Sequence, residues 1–114
     1  MREQLNDTQR IEHIIQAVNQ LIENKDLYTL EELKNKPIEY YGFVKLVEII
    51  GEATYKLSSE YKKSHQNFPW QLMEKMRHVL VHDYYRITAE ALWTTIQYDI
   101  PELKKLLDEI NIAD

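Results

Sequence analysis

The sequence contains no cysteine and little glycine or proline. Its 114 residues include two glycines and three prolines. Without cysteine the chain has no disulfide, no thiolate nucleophile and no cysteine-ligated zinc. A β-rich fold of this length would need many tight turns, so the small number of glycines and prolines favours long helices joined by few connections. We therefore expect an all-α fold.

The sequence also lacks long apolar runs. No run approaches the roughly 20 residues that a membrane-spanning helix requires, and residues 1–7 lack the apolar stretch of a signal peptide. The absence of cysteine suits a reducing compartment, so we expect a cytoplasmic protein with no membrane association. A chain of 114 residues can build one hydrophobic core but not a second domain beside it. We expect residues 1–114 to form a single domain.

The sequence also has fewer basic than acidic residues. Fourteen Lys and Arg residues face nineteen Asp and Glu residues, which gives a net charge of −5. Because the chain as a whole repels nucleic acid, any contact with RNA must come from a local basic patch. The candidates for such a patch are Lys62, Lys63, Lys75 and Arg86.

Apolar residues recur along much of the chain at i, i+3, i+4 and i+7, the spacing of one helical face. Residues 11–22 follow this pattern and predict a first helix, with Asp7 or Thr8 as its N-cap. Residues 27–36 then indicate a short helical or irregular connection. Pro37 suits the first turn of the next helix, where its missing N–H costs nothing.

The second predicted helix, residues 38–61, carries two apolar stripes rather than one. A stripe this wide indicates a helix that lies at the centre of a bundle or is shared with a second subunit. Gly42 and Gly51 both fall inside this helix, where each costs roughly 1 kcal/mol relative to alanine. We expect a close approach of another helix to compensate for both glycines.

The remaining helices follow a polar break at residues 62–67. Pro69 is placed to begin the third helix, Thr88 to cap a fourth, and Pro101 to begin a final one. The predicted architecture is an antiparallel bundle of four to five helices.

Arg77 and His82 are the residues best suited to chemistry on RNA. Arginine offers a charged fork for phosphate, and histidine moves protons near neutral pH. His82 would act as a base toward a ribose 2′-hydroxyl or as an acid toward the leaving 5′-oxygen, while Arg77 stabilises the transition state. On a straight helix a five-residue step leaves the two side chains roughly 140° apart, so they converge only through a bend or across a two-fold interface. The alternative is a surface ion pair and a helix-dipole partner.

Two further possibilities concern the neighbouring residues. His78 and His82 stand at i and i+4, with Glu74 four residues before His78, so a metal site on one helical face is conceivable. No third obvious ligand and no HExxH pattern accompany them, and we expect neither a metal nor a cofactor. Glu52 would orient Arg77 or a histidine if the two helices pack as neighbours; otherwise it is an exposed charge.

Four segments occur in order along the chain: residues 48–53 (EIIGEA), 68–70 (FPW), 76–85 (MRHVLVHDYY) and 99–103 (DIPEL). Together they resemble the successive signatures of HepT-like HEPN proteins, and the resemblance spans nearly the whole chain. The central signature is an arginine, a polar residue, three further residues, a histidine, any residue and a tyrosine. Here it runs from Arg77 through His78, His82 and Asp83 to Tyr84. His78 departs from the asparagine or aspartate that is frequent after the arginine.

The resemblance implies a HEPN-type helical homodimer in which two Arg/His sites face each other in a cleft. It implies a metal-independent endoribonuclease that is the toxin of a type VII HEPN/MNT toxin–antitoxin system. Its partners would be RNA as substrate and an MNT-type nucleotidyltransferase as antitoxin. The antitoxin would neutralise the toxin by transferring AMP from ATP to the motif tyrosine, Tyr84, although the adjacent Tyr85 leaves that assignment ambiguous. His78, Asp83 and Glu52 would be supporting residues.

Two other functions remain open from the sequence. The chain could be a non-catalytic helical partner that a nucleotidyltransferase binds and modifies, which would require neither Arg77 nor His82. It could also be a structural helical dimer, which would explain the wide apolar face of the second helix but leave the Arg, His and Tyr pattern to chance.

Overall fold

The computed structural model describes residues 5–81 and 89–110, with only the backbone described for residues 78–81. These residues form helices and no β-strand, which confirms the all-α prediction. The helices are α1 (Asp7–Asn24), α2 (Leu30–Lys34), α3 (Pro37–Tyr55), α4 (Ser59–Ser64), α5 (Trp70–Val81), α6 (Ala89–Thr94) and α7 (Ile100–Glu109), with a π-helical turn (Thr95–Asp99) that joins α6 to α7. The long helices α1, α3 and α5 and the α6–α7 run form the predicted bundle, to which α2 and α4 are short additions.

Helix α3 lies at the centre of the bundle. It packs against α1, α2 and α5, so its wide apolar surface is covered from several sides within one chain. The most deeply buried apolar side chains of the core include Ile14, Val18, Leu21, Leu33, Ile50, Met73, Ile96 and Ile100. No helix in the described parts of the chain combines the length and apolarity needed to cross a membrane.

The start of α1 differs from the prediction, because Asn6 is the N-cap rather than Asp7 or Thr8. The Asn6 side chain accepts from the Gln9 backbone N–H at 2.8 Å, and the Gln9 side chain accepts from the Asn6 N–H at 2.9 Å. This reciprocal pair is a capping box. Asp7 instead accepts from the backbone N–H and the hydroxyl of Ser58, at 2.9 and 2.6 Å. Since Ser58 follows the end of α3, α1 runs antiparallel to α3.

The second predicted helix ends early. Helix α3 stops at Tyr55 rather than at residue 61, and Leu57 turns into the core with 5% of its surface exposed. The Ser58 hydroxyl then accepts from the Tyr61 N–H at 3.1 Å and begins α4. Helix α4 continues to Ser64, so it occupies part of the segment predicted as a polar break. A local cap and the burial of one leucine therefore outweigh the continuous apolar pattern.

Helix α5 begins as predicted. The Pro69 carbonyl accepts from the Met73 N–H at 3.0 Å, so the helix starts at Trp70. The Trp70 indole N–H lies 3.0 Å from the carbonyl oxygens of both Lys62 and His65. These bonds join the end of α4 to the first turn of α5, the helix that carries Arg77.

The final helix begins beside Pro101 as predicted, because α7 starts at Ile100 with Pro101 in its first turn. It follows the preceding π-helical turn without a break. The Ile100 N–H donates to the Thr95 carbonyl, five residues earlier, in a π-helical turn. A proline ring clashes with the carbonyl four residues before it, here that of Gln97, and has no N–H to offer. The wider turn just before Pro101 accommodates this loss without ending the helix. The predicted cap Thr88 lies outside the described residues.

Candidate active site around Arg77

Arg77 lies on α5 and faces the C-terminal part of α3. Its Nε donates to Glu52, at 3.3 Å from Oε1 and 3.4 Å from Oε2. The Arg77 side chain is 25% exposed and that of Glu52 41%. Because solvent screens a pair this exposed, its main effect is to orient the guanidinium rather than to stabilise the fold. The structure thus brings together two of the residues selected from the sequence.

Tyr55 is a neighbour of Arg77 that the sequence analysis missed. The central carbon of the guanidinium lies 4.1 Å from the centroid of the Tyr55 ring, a cation–π contact. About half of the Tyr55 surface is exposed. Tyr55 follows Glu52 by three residues, a spacing that puts both on the same face of α3. That spacing is the signal in the sequence that could have identified it.

Gly51 sets the distance between α3 and α5 at the site. A Cβ atom built on Gly51 would lie 2.1 Å from the Arg77 backbone nitrogen and 2.7 Å from its Cα. The prediction of a close helix approach is therefore confirmed at Gly51. Within the described residues of this chain no helix approaches Gly42, because a Cβ built there meets nothing within 4 Å. The closest approach of the two helices thus lies directly behind the backbone of Arg77.

The hydrogen bonds of Arg77 to the described residues use only part of its guanidinium. Among the described residues its hydrogen bonds go through Nε to Glu52, and neither terminal nitrogen has a partner. A guanidinium that is oriented through Nε and stacked on an aromatic ring can offer its two terminal nitrogens to a phosphate as a fork.

The other predicted site residues are only partly described. His82, Asp83, Tyr84 and Tyr85 lie outside the described residues. The backbone of His78 continues α5 directly after Arg77, but its side chain is not described.

Some of the predicted metal-binding and basic residues form ion pairs, and others are exposed. Glu74 forms an ion pair with Lys62 at 3.0 Å, so one carboxylate of the conceivable metal site is already engaged and Lys62 is not a free cation. The described residues contain no cluster of three or more potential metal ligands. Lys63 and Lys75 are exposed, and Arg86 lies outside the described residues.

This chain is similar to known proteins over most of its length. The family described as Ribonuclease HepT-like matches residues 9–110. The chain belongs to this family. The resemblance carried by the four sequence segments is thereby confirmed, and the helical bundle agrees with the fold expected of a HepT-like HEPN protein.

Curated relatives of this HepT-like chain include bacterial and archaeal proteins. An inferred RNase of Caldanaerobacter subterraneus subsp. tengcongensis is 37% identical over 88% of this chain and 89% of its own length. An inferred RNase of Methanocaldococcus jannaschii is 34% identical over 81% of this chain and 84% of its own length. An inferred HepT ribonuclease of Thermococcus cleftensis is 29% identical over 89% of this chain and 92% of its own length. No solved structure shows a significant match.

Proposed function

We propose that this HepT-like chain is a metal-independent endoribonuclease whose active site contains Arg77 and His82. The observation that carries the proposal is the guanidinium of Arg77, which Glu52 and Tyr55 hold while its terminal nitrogens have no partner among the described residues. A preorganised cation suits a phosphate group whose charge grows during the reaction. Family membership and relatives named as RNases support RNA as the substrate.

In the proposed reaction a ribose 2′-oxygen attacks the adjacent phosphorus. A neutral His82 imidazole accepts the 2′-hydroxyl proton as the new oxygen–phosphorus bond forms. A protonated His82 imidazole donates its proton to the 5′-oxygen as the bond between that oxygen and phosphorus breaks. Arg77 stabilises the negative charge on the non-bridging oxygens. The products are a 2′,3′-cyclic phosphate and a 5′-hydroxyl, and the proposed steps involve no metal ion.

A homodimer would supply both histidines of this mechanism. In the proposed assembly two Arg77–His82 pairs face one cleft, so that one His82 acts as base and the other as acid. Such an assembly also removes the problem of the roughly 140° between the two side chains on one straight helix. Exposed apolar side chains on α3, with Ile38 at 85% and Tyr41 at 64%, are consistent with a surface that another chain covers.

We also propose that the chain is the toxin of a type VII toxin–antitoxin pair. The antitoxin would be an MNT-type nucleotidyltransferase that transfers AMP from ATP to Tyr84. The tyrosine oxygen would bond to the α-phosphorus, and pyrophosphate would leave. The added phosphate charge and adenine, two residues from His82, would repel an RNA backbone and block the cleft.

Cleavage of total cellular RNA by purified protein in EDTA tests the proposed activity. We expect Arg77→Ala to lower the cleavage rate by about 10²–10³-fold, the usual loss of one charge-stabilising group. His82→Ala should lower it by about 10²–10⁴-fold because proton transfer is lost. Lys105→Ala removes an exposed cation that pairs with Glu102 on α7 and serves as the control, with a rate equal to that of wild type.

Two milder variants probe how Arg77 is held. Glu52→Gln keeps the size of the side chain but removes its charge, and Tyr55→Leu removes the aromatic ring under the guanidinium. Both should leave rates between those of wild type and Arg77→Ala, because the cation remains but is less well oriented.

The outcomes separate the candidate functions. Cyclic phosphate ends produced by wild type and Lys105→Ala, but not by Arg77→Ala or His82→Ala, would support the mechanism. Equal cleavage by all variants would point to another site or a contaminant and refute the assignment. No cleavage by any form would favour the non-catalytic partner of a nucleotidyltransferase.

A further inference from the structure

A depression beside Glu52 carries cations that the proposed chemistry does not use. It has a volume of about 290 Å³ and lies between the first turns of α1 and the C-terminal half of α3. Ile49 and Ala53 belong to its apolar lining, and Arg10, His13, Lys45 and Lys56 supply basic groups around it. Such a concentration of basic side chains is unexpected in a chain whose net charge is −5.

The acidic residues of the depression are already engaged with cations. Glu48 pairs with Lys45 at 2.9 Å, and Glu52 binds Arg77. Arg10 and Lys56 have no ion-pair partner among the described residues. Within the described part of the chain, the depression therefore presents two cations that lack an ion-pair partner.

Glu52 connects this surface to Arg77. Its side chain lines the depression and also accepts from the Arg77 Nε, so Glu52 is a neighbour of both cation groups. A ligand that places one negative charge at Arg77 and further charges at regular intervals can reach both. An RNA strand has this repeat, because each nucleotide adds one phosphate.

We propose that the depression binds the RNA backbone next to the scissile phosphate, with Arg10 and Lys56 contacting phosphate groups. This inference rests on the proposed ribonuclease function and adds a substrate-binding surface to it. The apolar lining at Ile49 and Ala53 gives a ribose or base a surface to pack on while the cations hold the phosphates. Beyond the scissile phosphate at Arg77, RNA contact would then occur at α1 and the end of α3 and not at the exposed lysines 63 and 75.

Binding of a random-sequence 2′-O-methyl RNA, labelled with fluorescein, tests this proposal by fluorescence anisotropy. The methyl group removes the attacking hydroxyl, so the binding of RNA is measured without cleavage. No substitution at Arg77 or His82 is needed to prevent the reaction. Arg10→Glu/Lys56→Glu should weaken binding at least about tenfold. It should also reduce the slope of log affinity against log salt by roughly 1 to 1.5, the value for losing two contacts with single-stranded phosphates.

Two control variants make the result specific. Lys36→Glu/Lys105→Glu changes the net charge by the same amount at exposed positions outside the depression, and its affinity should stay within about twofold of wild type. Arg10→Lys/Lys56→Arg keeps both charges and should bind like wild type. If the reversed variant does not fold, Arg10→Gln/Lys56→Gln replaces it. The slope of log affinity against log salt should be reduced by the same amount in this variant.

The inference and the proposed function fail in different ways. RNA cleavage that depends on Arg77 but not on Arg10 or Lys56, together with unchanged binding by the reversed variant, would overturn only the inference. Binding of an acidic peptide but not of RNA would overturn it in favour of a protein partner. Loss of the dependence of cleavage on Arg77 would instead overturn the proposed function.

Discussion

Replacement of Gly51 by alanine adds a single methyl group where α3 and α5 are closest. That Cβ would lie 2.1 Å from the backbone nitrogen of Arg77 and 2.8 Å from its Cβ. Carbon atoms make favourable contacts at about 3.5 Å or more, so α5 has to move by about 1 Å or more. Because the nearest atoms belong to the backbone of α5, no change of side-chain rotamer can relieve the clash.

The expected loss of stability follows from two opposing effects. Overpacking a tight contact costs about 1–3 kcal/mol, and a backbone clash belongs at the upper end of that range. Alanine recovers about 1 kcal/mol of helix propensity relative to glycine. We therefore expect Gly51→Ala to lower the free energy of unfolding by about 2 kcal/mol and the Tm by about 8 °C for a domain of this size.

Gly42→Ala is the matched control on the same helix. A Cβ at this exposed position meets nothing within 4 Å, so only the gain in helix propensity remains. We expect this variant to raise the free energy of unfolding by up to about 1 kcal/mol and the Tm by about 4 °C.

Thermal unfolding of both variants, followed by far-ultraviolet circular dichroism, measures the difference. Protein concentration is held constant, because oligomerisation would make the Tm concentration-dependent. RNA cleavage measured well below the Tm should fall in Gly51→Ala, since the shift of α5 moves Arg77, and should not change in Gly42→Ala. Equal Tm values for the two variants would refute the argument that the backbone of α5 packs directly against Gly51.

Two further predictions concern modification and pH. Co-expression with an MNT-type nucleotidyltransferase should add one or more AMP masses to the wild-type chain, measured by mass spectrometry, and none to Tyr84→Phe; persistence there but not in Tyr85→Phe would move the site to Tyr85. Burial raises the pKa of the Asp99 carboxyl above its ordinary value of 3.8, so the folded state binds this proton more readily than the unfolded state. The contribution of Asp99 to stability is present in acid and is lost as pH rises through the folded pKa. At neutral pH, Asp99→Asn should therefore unfold at a higher urea concentration than wild type, and in acid the two midpoints should be equal. An equal increase of the midpoint at neutral and at acid pH would contradict the raised pKa of Asp99.

Features that depend on local sequence could be predicted before the structure. The helical positions of the core around Ile14 and Met73 follow from apolar spacing, because burying one face of a helix requires that spacing wherever the helix packs. The starts of α3 at Pro37 and of α5 directly after Pro69 follow from the missing proline N–H, which costs nothing at the beginning of a helix. The contact between Glu52 and Arg77 was expected only if their helices were neighbours.

Other features of the site depend on which atoms the fold brings together. Gly42 and Gly51 lie in the same helix with the same propensity, yet only Gly51 has another backbone against it. Tyr55 contacts Arg77 because α5 crosses α3 at this point. Asp7 binds Ser58 rather than capping its own helix, because the end of α3 reaches the start of α1.

The sequence by itself determined the helical class and the family, and it predicted which residues are suited to chemistry. These properties depend on composition, on the 3.6-residue period and on motifs that a single chain carries in order. Only the tertiary structure decided that Arg77 is held by both Glu52 and Tyr55, that Gly51 lies against its backbone, and that Arg10 and Lys56 line the same depression as Glu52. The reason is that contacts between residues tens of positions apart depend on helix crossings, and no local pattern specifies where two helices cross.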